Sequence, residues 1–119
     1  MKKKVLVVED EAITALCLKL DLEKAGVEVL ELVSTGEKAI MVASENSPSL
    51  ILMDIRLAGD MDGIEASEKI IDQQPDIPIA FMTGYTTEFI KERALSLKPV
   101  DFLEKPLRFE QIKMILDNL

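Results

Sequence analysis

Leu50-Ile51-Leu52-Met53-Asp54 sets four apolar residues in a row and ends them on a carboxylate. A strand covered on both faces reads as a continuous apolar run of this kind, whereas an edge strand alternates with polar residues. Three further runs flank it: Val5 to Val8, Ile77 to Met82 with Pro78 inside, and the mixed stretch Val100 to Leu103. Between the runs the apolar residues fall at helical spacing, so strand and helix alternate along the chain. A first helix is predicted from about Ala12 to Ala25, with Ile13, Leu16, Cys17 and Leu20 on its apolar face and Gly26 just past its end. Cys17 is read there as a small buried residue. Ser34 or Thr35 caps a second helix carrying Ala39, Ile40 and Ala43, and Pro48 closes the linker after it. A third helix follows Gly63, places Ile64, Ser67, Ile70 and Ile71 around one face and stops before Pro75. Thr86 or Thr87 caps a fourth, with Phe89, Ile90 and Leu95 as its apolar residues, and a fifth runs from about Phe109 to Leu119.

Acids inside a run mark an edge. Val27 to Val33 contains Glu28 and Glu31, and Val100 to Glu104 contains Asp101 and Glu104, so the second and fifth strands are expected at the sheet's margins. The fold predicted is α/β: a flavodoxin-like (βα)5 architecture, a doubly wound five-stranded parallel sheet of order 2-1-3-4-5, forming one domain over residues 1–119. In such sheets ligands bind beyond the carboxyl ends of the strands, at the switch point between the first and third.

Bulk properties narrow the function. The chain has 119 residues, 48% hydrophobic and 30% charged, enough for a core without disulfides. A net charge of −8 argues against direct binding to nucleic acid or anionic membranes, both of which need clustered Lys and Arg. There is no histidine, which excludes histidine catalysis, histidine metal ligands and a phosphohistidine in this chain. Cys17 is the lone cysteine, and Met1-Lys2-Lys3-Lys4 precedes an apolar run too short for a signal peptide. A cytoplasmic location is expected, with the lysine-rich start as a natural N-terminus.

The chemistry gathers at the strand ends. Glu9 and Asp10 follow the first strand and Asp54 ends the third, so three carboxylates would converge on one crevice. Like charges held together in a partly buried site require a compensating cation, and an oxygen-only donor set favours Mg²⁺ with several waters retained. Thr83 ends the fourth strand and Lys105 the fifth, adding a hydroxyl and an ammonium suited to a doubly anionic group beside the metal. Asp54, at the switch point, is the best candidate nucleophile, and carboxylates do form acyl phosphates in phosphoryl transfer.

Val7-Val8-Glu9-Asp10-Glu11, Leu52-Met53-Asp54, Met61-Asp62-Gly63, Phe81-Met82-Thr83-Gly84 and Phe102-Leu103-Glu104-Lys105-Pro106 resemble the motifs of receiver domains of two-component response regulators, over essentially the whole chain. The likeness is to a single domain of the chemotaxis-regulator kind. It implies that Glu9 and Asp10 hold Mg²⁺, that Asp54 is phosphoacceptor and metal ligand, and that the backbone carbonyl of Arg56 is a further ligand. It also implies Thr83 as switch hydroxyl, Lys105 as the cation on the phosphoryl group, Phe102 as the aromatic switch residue and a cis Lys105–Pro106 bond. The chain departs from the pattern in lacking the usual proline after the acceptor and in a loop, 57–63, one residue longer than the commonest form. Gly84, where alanine is frequent, should leave more room, and Arg56 and Tyr85 are expected to set how long the phosphoryl group survives.

The function expected is that of a non-enzymatic phosphoacceptor switch. The donor would be a sensor histidine kinase or a histidine phosphotransfer protein, and the output a changed surface on the fourth helix, fifth strand and fifth helix. Phe89, Ile90 and Phe109 are apolar residues on that surface which serve equally well as core. The surface would act on a downstream protein partner or on a C-terminal domain outside this chain, the chain itself being a monomer or weak dimer. The rival readings are a receiver-like binding module that is never phosphorylated, a flavin-binding protein and an aspartyl-phosphate hydrolase. Glu9-Asp10-Glu11 would repel the phosphate of a flavin, and a hydrolase of that kind would carry its nucleophile after the first strand.

Overall fold

The computed structural model describes residues 2–119; Met1, part of the lysine-rich start, lies outside the described residues. Five strands alternate with five helices: β1 (Lys4–Val8), α1 (Ala12–Lys24), β2 (Glu28–Val33), α2 (Gly36–Asn46), β3 (Leu50–Asp54), α3 (Gly63–Gln73), β4 (Ile79–Thr83), α4 (Glu88–Leu95), β5 (Asp101–Glu104) and α5 (Phe109–Asp117). Every strand pair is parallel and the order is β2-β1-β3-β4-β5, as predicted. All residues of β3 and β4 are buried, whereas β2 and β5 keep their acids in solvent. β4 begins after Pro78 rather than at Ile77, because proline has no N–H for the ladder; its carbonyl still accepts from the Ile51 amide at 2.9 Å.

The pleat divides the core into two layers. Leu6, Val8, Ile51, Met53 and Phe81 point to one face, where residues of α2 and α3 and Ala94 of α4 cover them. Val5, Val7, Leu50, Leu52 and Met82 point to the other, against Leu18 and Leu22 of α1 and Ile112, Ile115 and Leu116 of α5. Each large side chain so buried is worth about 1.5–3 kcal/mol over its exposed state.

One sequence reading fails here, the apolar face of α1. Ile13 is 80% exposed, and Leu16, Cys17 and Leu20 are exposed with it, while Ala15, Leu18 and Leu22 form the buried face of α1. Leucines at 16, 18, 20 and 22 make both faces of that helix apolar, so periodicity alone could not choose between them. In α4, Phe89 and Leu95 are exposed and Ala94 is the fully buried residue, with Ile90 only partly covered. On the same face, Phe109 of α5 is half-buried against the second core layer.

The residues read as end signals for α1, α2 and α4 act as such. Gly26 follows α1 with φ +81°, a left-handed conformation that favours glycine. The hydroxyls of Thr35 and Thr87 accept from the amides of Lys38 and Ile90, each at 3.2 Å, and so cap α2 and α4. α3 starts on a capping box: Asp62 Oδ1 accepts from the Glu65 amide at 2.8 Å, and the Glu65 side chain accepts from the Asp62 amide at 3.1 Å. Among the described residues no helix is long and apolar enough to cross a membrane.

Candidate functional site

The sheet ladder continues one residue past β1, β3 and β5, and this continuation delivers the chemistry to one rim. The Glu9 amide donates to the Val33 carbonyl at 2.9 Å, the Ile55 amide to the Met82 carbonyl at 3.1 Å, and the Lys105 amide to the Thr83 carbonyl at 2.7 Å. Glu9, Asp10 and Asp54 can each offer a carboxylate oxygen within 4.8 Å of the others. Lys105 Nζ lies between two of them, 2.6 Å from Glu9 Oε1 and 2.8 Å from Asp54 Oδ2. The Lys105–Pro106 peptide is cis. Three carboxylates and one ammonium leave two negative charges when all are ionised.

Glu9 and Asp54 are buried and Asp10 faces solvent, so the cluster opens outward on one side. The opening is a cleft of about 350 Å³ lined by Asp10, Asp54, Arg56, Thr83, Tyr85 and Lys105, among others. Gly84 widens it: a methyl there would meet only Lys105 Cδ at 3.8 Å, an ordinary contact, so the glycine is not sterically required. A larger cleft of about 560 Å³ lies at the amino ends of the strands, beside Lys2, Lys3 and Lys113, and holds none of the residues predicted for the site.

Arg56 follows β3, Thr83 ends β4 and Phe102 lies within β5. Arg56 donates its amide to Asp54 Oδ1 at 3.3 Å, which fixes one carboxylate oxygen and leaves its own side chain exposed. Thr83 is buried at the end of β4, and its hydroxyl donates to the Tyr85 carbonyl and accepts from the Tyr85 amide. Phe102 is half-buried on β5, with the Lys91 ammonium 5.9 Å from its ring centroid.

Gly63 packs directly behind the acceptor. A Cβ at that position would lie 2.0 Å from the Asp54 carbonyl oxygen, and the Gly63 amide donates to the Ile55 carbonyl at 2.8 Å. The long loop before it is fastened on its far side: Ala58 donates to the Ser34 carbonyl at 3.1 Å, and Met61 lies over Gly36, where a Cβ would come within 2.8 Å of its sulfur. Gly59, at φ +87°, takes the left-handed conformation that favours glycine. Sequence reading passed over Asp62 as a helix cap, although Asp62-x-x-Glu65 carries that signature. It also missed Arg93, whose Nη1 lies 3.3 Å from Asp62 Oδ2.

Burial, and next the neighbouring Asp54 carboxylate, raise the Glu9 carboxyl above the ordinary glutamate value, against the opposing pull of Lys105. Burial alone would lower the Lys105 ammonium, but its bonds to Asp54 and Glu9 outweigh that and hold it raised. A carboxyl raised in the folded state contributes stability that is present below its unfolded pKa and lost as pH rises through its folded one. Without divalent ions, Glu9→Gln is therefore expected to be more stable than the parent at pH 7, the gap narrowing as pH falls. Urea unfolding at several pH values reads this, and a parent that is the more stable at pH 7 would contradict it.

A bare cluster of this composition fits a hard divalent cation: its donors are all oxygens, and one position faces solvent where waters can remain. The sequence matches the response regulator receiver domain family over residues 5–117. Among curated proteins it is 37% identical to the alkaline phosphatase synthesis transcriptional regulatory protein PhoP of Bacillus subtilis, over 89% of this chain and 43% of that protein. It is 35% identical to a protein-glutamate methylesterase/protein-glutamine glutaminase of Archaeoglobus fulgidus, over 87% of this chain and 30% of that one. The chain thus spans less than half the length of these relatives. Among solved structures, a CheY-like response regulator receiver domain protein of Methanospirillum hungatei superposes with a TM-score of 0.91 at 29% identity, covering 99% of this chain and 96% of the other.

Proposed function

Because the chain belongs to the response regulator receiver domain family, we propose that it is a phosphoacceptor switch of two-component signalling in which Asp54 takes a phosphoryl group with the help of Mg²⁺. The observation that carries this reading is the charge at the rim, three carboxylates around a single ammonium, at the carboxyl ends of β1, β3 and β5. Glu9, Asp10, Asp54 and the Arg56 carbonyl would hold the ion. When bound, Mg²⁺ would offset the charge of the phosphoryl oxygens.

The residues of the chain do the rest. One Asp54 oxygen forms the new bond to phosphorus as the bond to the donor's imidazole nitrogen breaks, and the donor leaves as neutral histidine after taking up a proton. Lys105, already 2.8 Å from Asp54 Oδ2, pairs with a phosphoryl oxygen. Thr83 exchanges its bond to the Tyr85 carbonyl for one to the phosphoryl group, and Phe102 turns into the space vacated. The face of α4, β5 and α5 then changes shape. Driving such a switch from almost wholly inactive to almost wholly active needs about 5.5 kcal/mol. A few charge-assisted hydrogen bonds of about 1.5–3 kcal/mol each are of that order. Arg56 and Tyr85 line the cleft through which water would reach the acyl phosphate, which supports their role in setting its lifetime.

The donor would be a sensor histidine kinase or histidine phosphotransfer protein, the receiver of the changed face a downstream protein or a further domain, and the setting the cytoplasm. Intact-mass spectrometry after incubation with acetyl phosphate tests the chemistry. With Mg²⁺ the chain should gain one hydroxylamine-labile phosphoryl group, and with EDTA in its place incorporation should fall to background. Absence of labelling under both conditions would leave only the reading as an unphosphorylated binding module.

A further inference from the structure

Helix α4 forms part of the face proposed to move, yet Ala94 is its one fully buried residue. A helix so thinly attached to the core depends on its side-chain tethers. Arg93 supplies one: its Nη1 donates to Asp62 Oδ2 at 3.3 Å, with both side chains about one third exposed. The acceptor is held unusually well for a surface carboxylate. Asp62 Oδ1 is bound to the Glu65 amide and the Asp62 amide to the Glu65 side chain, so this carboxylate cannot swing away without uncapping α3. An ion pair to a group already fixed loses little further entropy on that side.

The next residue links this tether to the acceptor. Gly63 lies flush against the Asp54 main chain and donates to the Ile55 carbonyl at 2.8 Å. Any shift of Asp62 is passed through that contact to the segment from Asp54 to Arg56. The loop's other fastenings, at Ala58 and Met61, lead to Ser34 and Gly36 and away from α4.

We propose that Arg93 is a positioning residue: by gripping Asp62 from α4 it sets the geometry of the Asp54–Arg56 segment, and so ties the placement of α4 to the affinity of the acidic site for Mg²⁺. This rests on the metal-assisted function proposed for Asp54 and adds a route from site to output face separate from Thr83 and Phe102. Linkage makes it reciprocal: whatever draws α4 away from Asp62 alters metal affinity, and metal binding alters the freedom of α4.

The sign of two substitutions separates positioning from simple charge. If Arg93 acted only through its field, Arg93→Gln would tighten Mg²⁺ binding and Asp62→Asn would weaken it, and the effects would add. If it positions, both weaken binding and the double variant is no worse than either alone. Asp62→Asn keeps a good helix cap, so α3 is preserved. Titration of the isotope-labelled chain with MgCl₂, followed by backbone amide NMR, reads the affinity and confirms the fold in one experiment. Each single variant should raise the dissociation constant about fivefold, as befits a partly exposed ion pair. Mg²⁺-dependent shifts within α4 should appear in the parent and vanish in Arg93→Gln. Unchanged affinity, or opposite signs for the two variants, would overturn the inference while leaving the proposed function intact. A parent that binds no Mg²⁺ would remove both.

Discussion

Asp54→Asn should lose phosphoryl incorporation altogether, by at least about a thousandfold, while the chain stays folded. An amide in this position has no oxygen able to attack phosphorus, and removing the group that forms the covalent bond leaves only the residual effects of binding. Two other carboxylates stand within reach, so the result is informative. The Glu9 side chain is fully buried and held by Lys105, but Asp10 faces solvent at the mouth of the same cleft. Were Asp10 the acceptor, Asp54→Asn would slow labelling and not end it. Folding should survive, because Lys105 keeps Glu9 as a partner and the site loses one of its mutually repelling charges. Intact-mass measurement with acetyl phosphate and Mg²⁺, beside urea unfolding of the same variant, separates a chemical loss from a structural one.

The second large effect is on stability. Gly63→Ala is expected to cost about 3 kcal/mol or more, since the new methyl would sit 2.0 Å from the Asp54 carbonyl oxygen and 2.9 Å from its carbon. Overpacking is tolerated when a flexible side chain can give way; here the obstacle is main chain in the middle of the sheet, held in register with β4. The same substitution at Gly84 is the control. There the nearest atom is a Lys105 methylene at 3.8 Å, and the change should stay within about 0.5 kcal/mol. Urea midpoints for the two variants compare them directly, and equal losses would mean that Gly63 is not wedged against the acceptor.

The parts of this molecule that were legible in the sequence are those governed by local rules. Buried strands advertise themselves as unbroken apolar runs, edge strands by their acids, and parallel topology then carries Glu9, Asp54, Thr83 and Lys105 to a common rim without further information. What stayed hidden depends on which of two acceptable surfaces meets the sheet. α1 has leucines on both faces, and which face is buried is decided only where the helix packs against β1 and β2, with Leu18 and Leu22 joining the core and Leu16 and Leu20 left outside. Phe89 fitted surface and core equally well by its sequence; it is exposed, and α4 buries Ala94 instead. Arg93 and Asp62 carry no mutual signal at all, because their meeting is settled by how the third and fourth helices pack.

Lys105, wedged between Glu9 and Asp54, has a consequence beyond phosphoryl chemistry. Small metalloproteins whose ligands have no built-in counterion often stay unfolded until the metal arrives. Here an internal cation already quiets part of the repulsion, so architecture and ion loading are separable. Under the function proposed above, that independence would let a divalent ion come and go as a reagent, with the scaffold intact throughout.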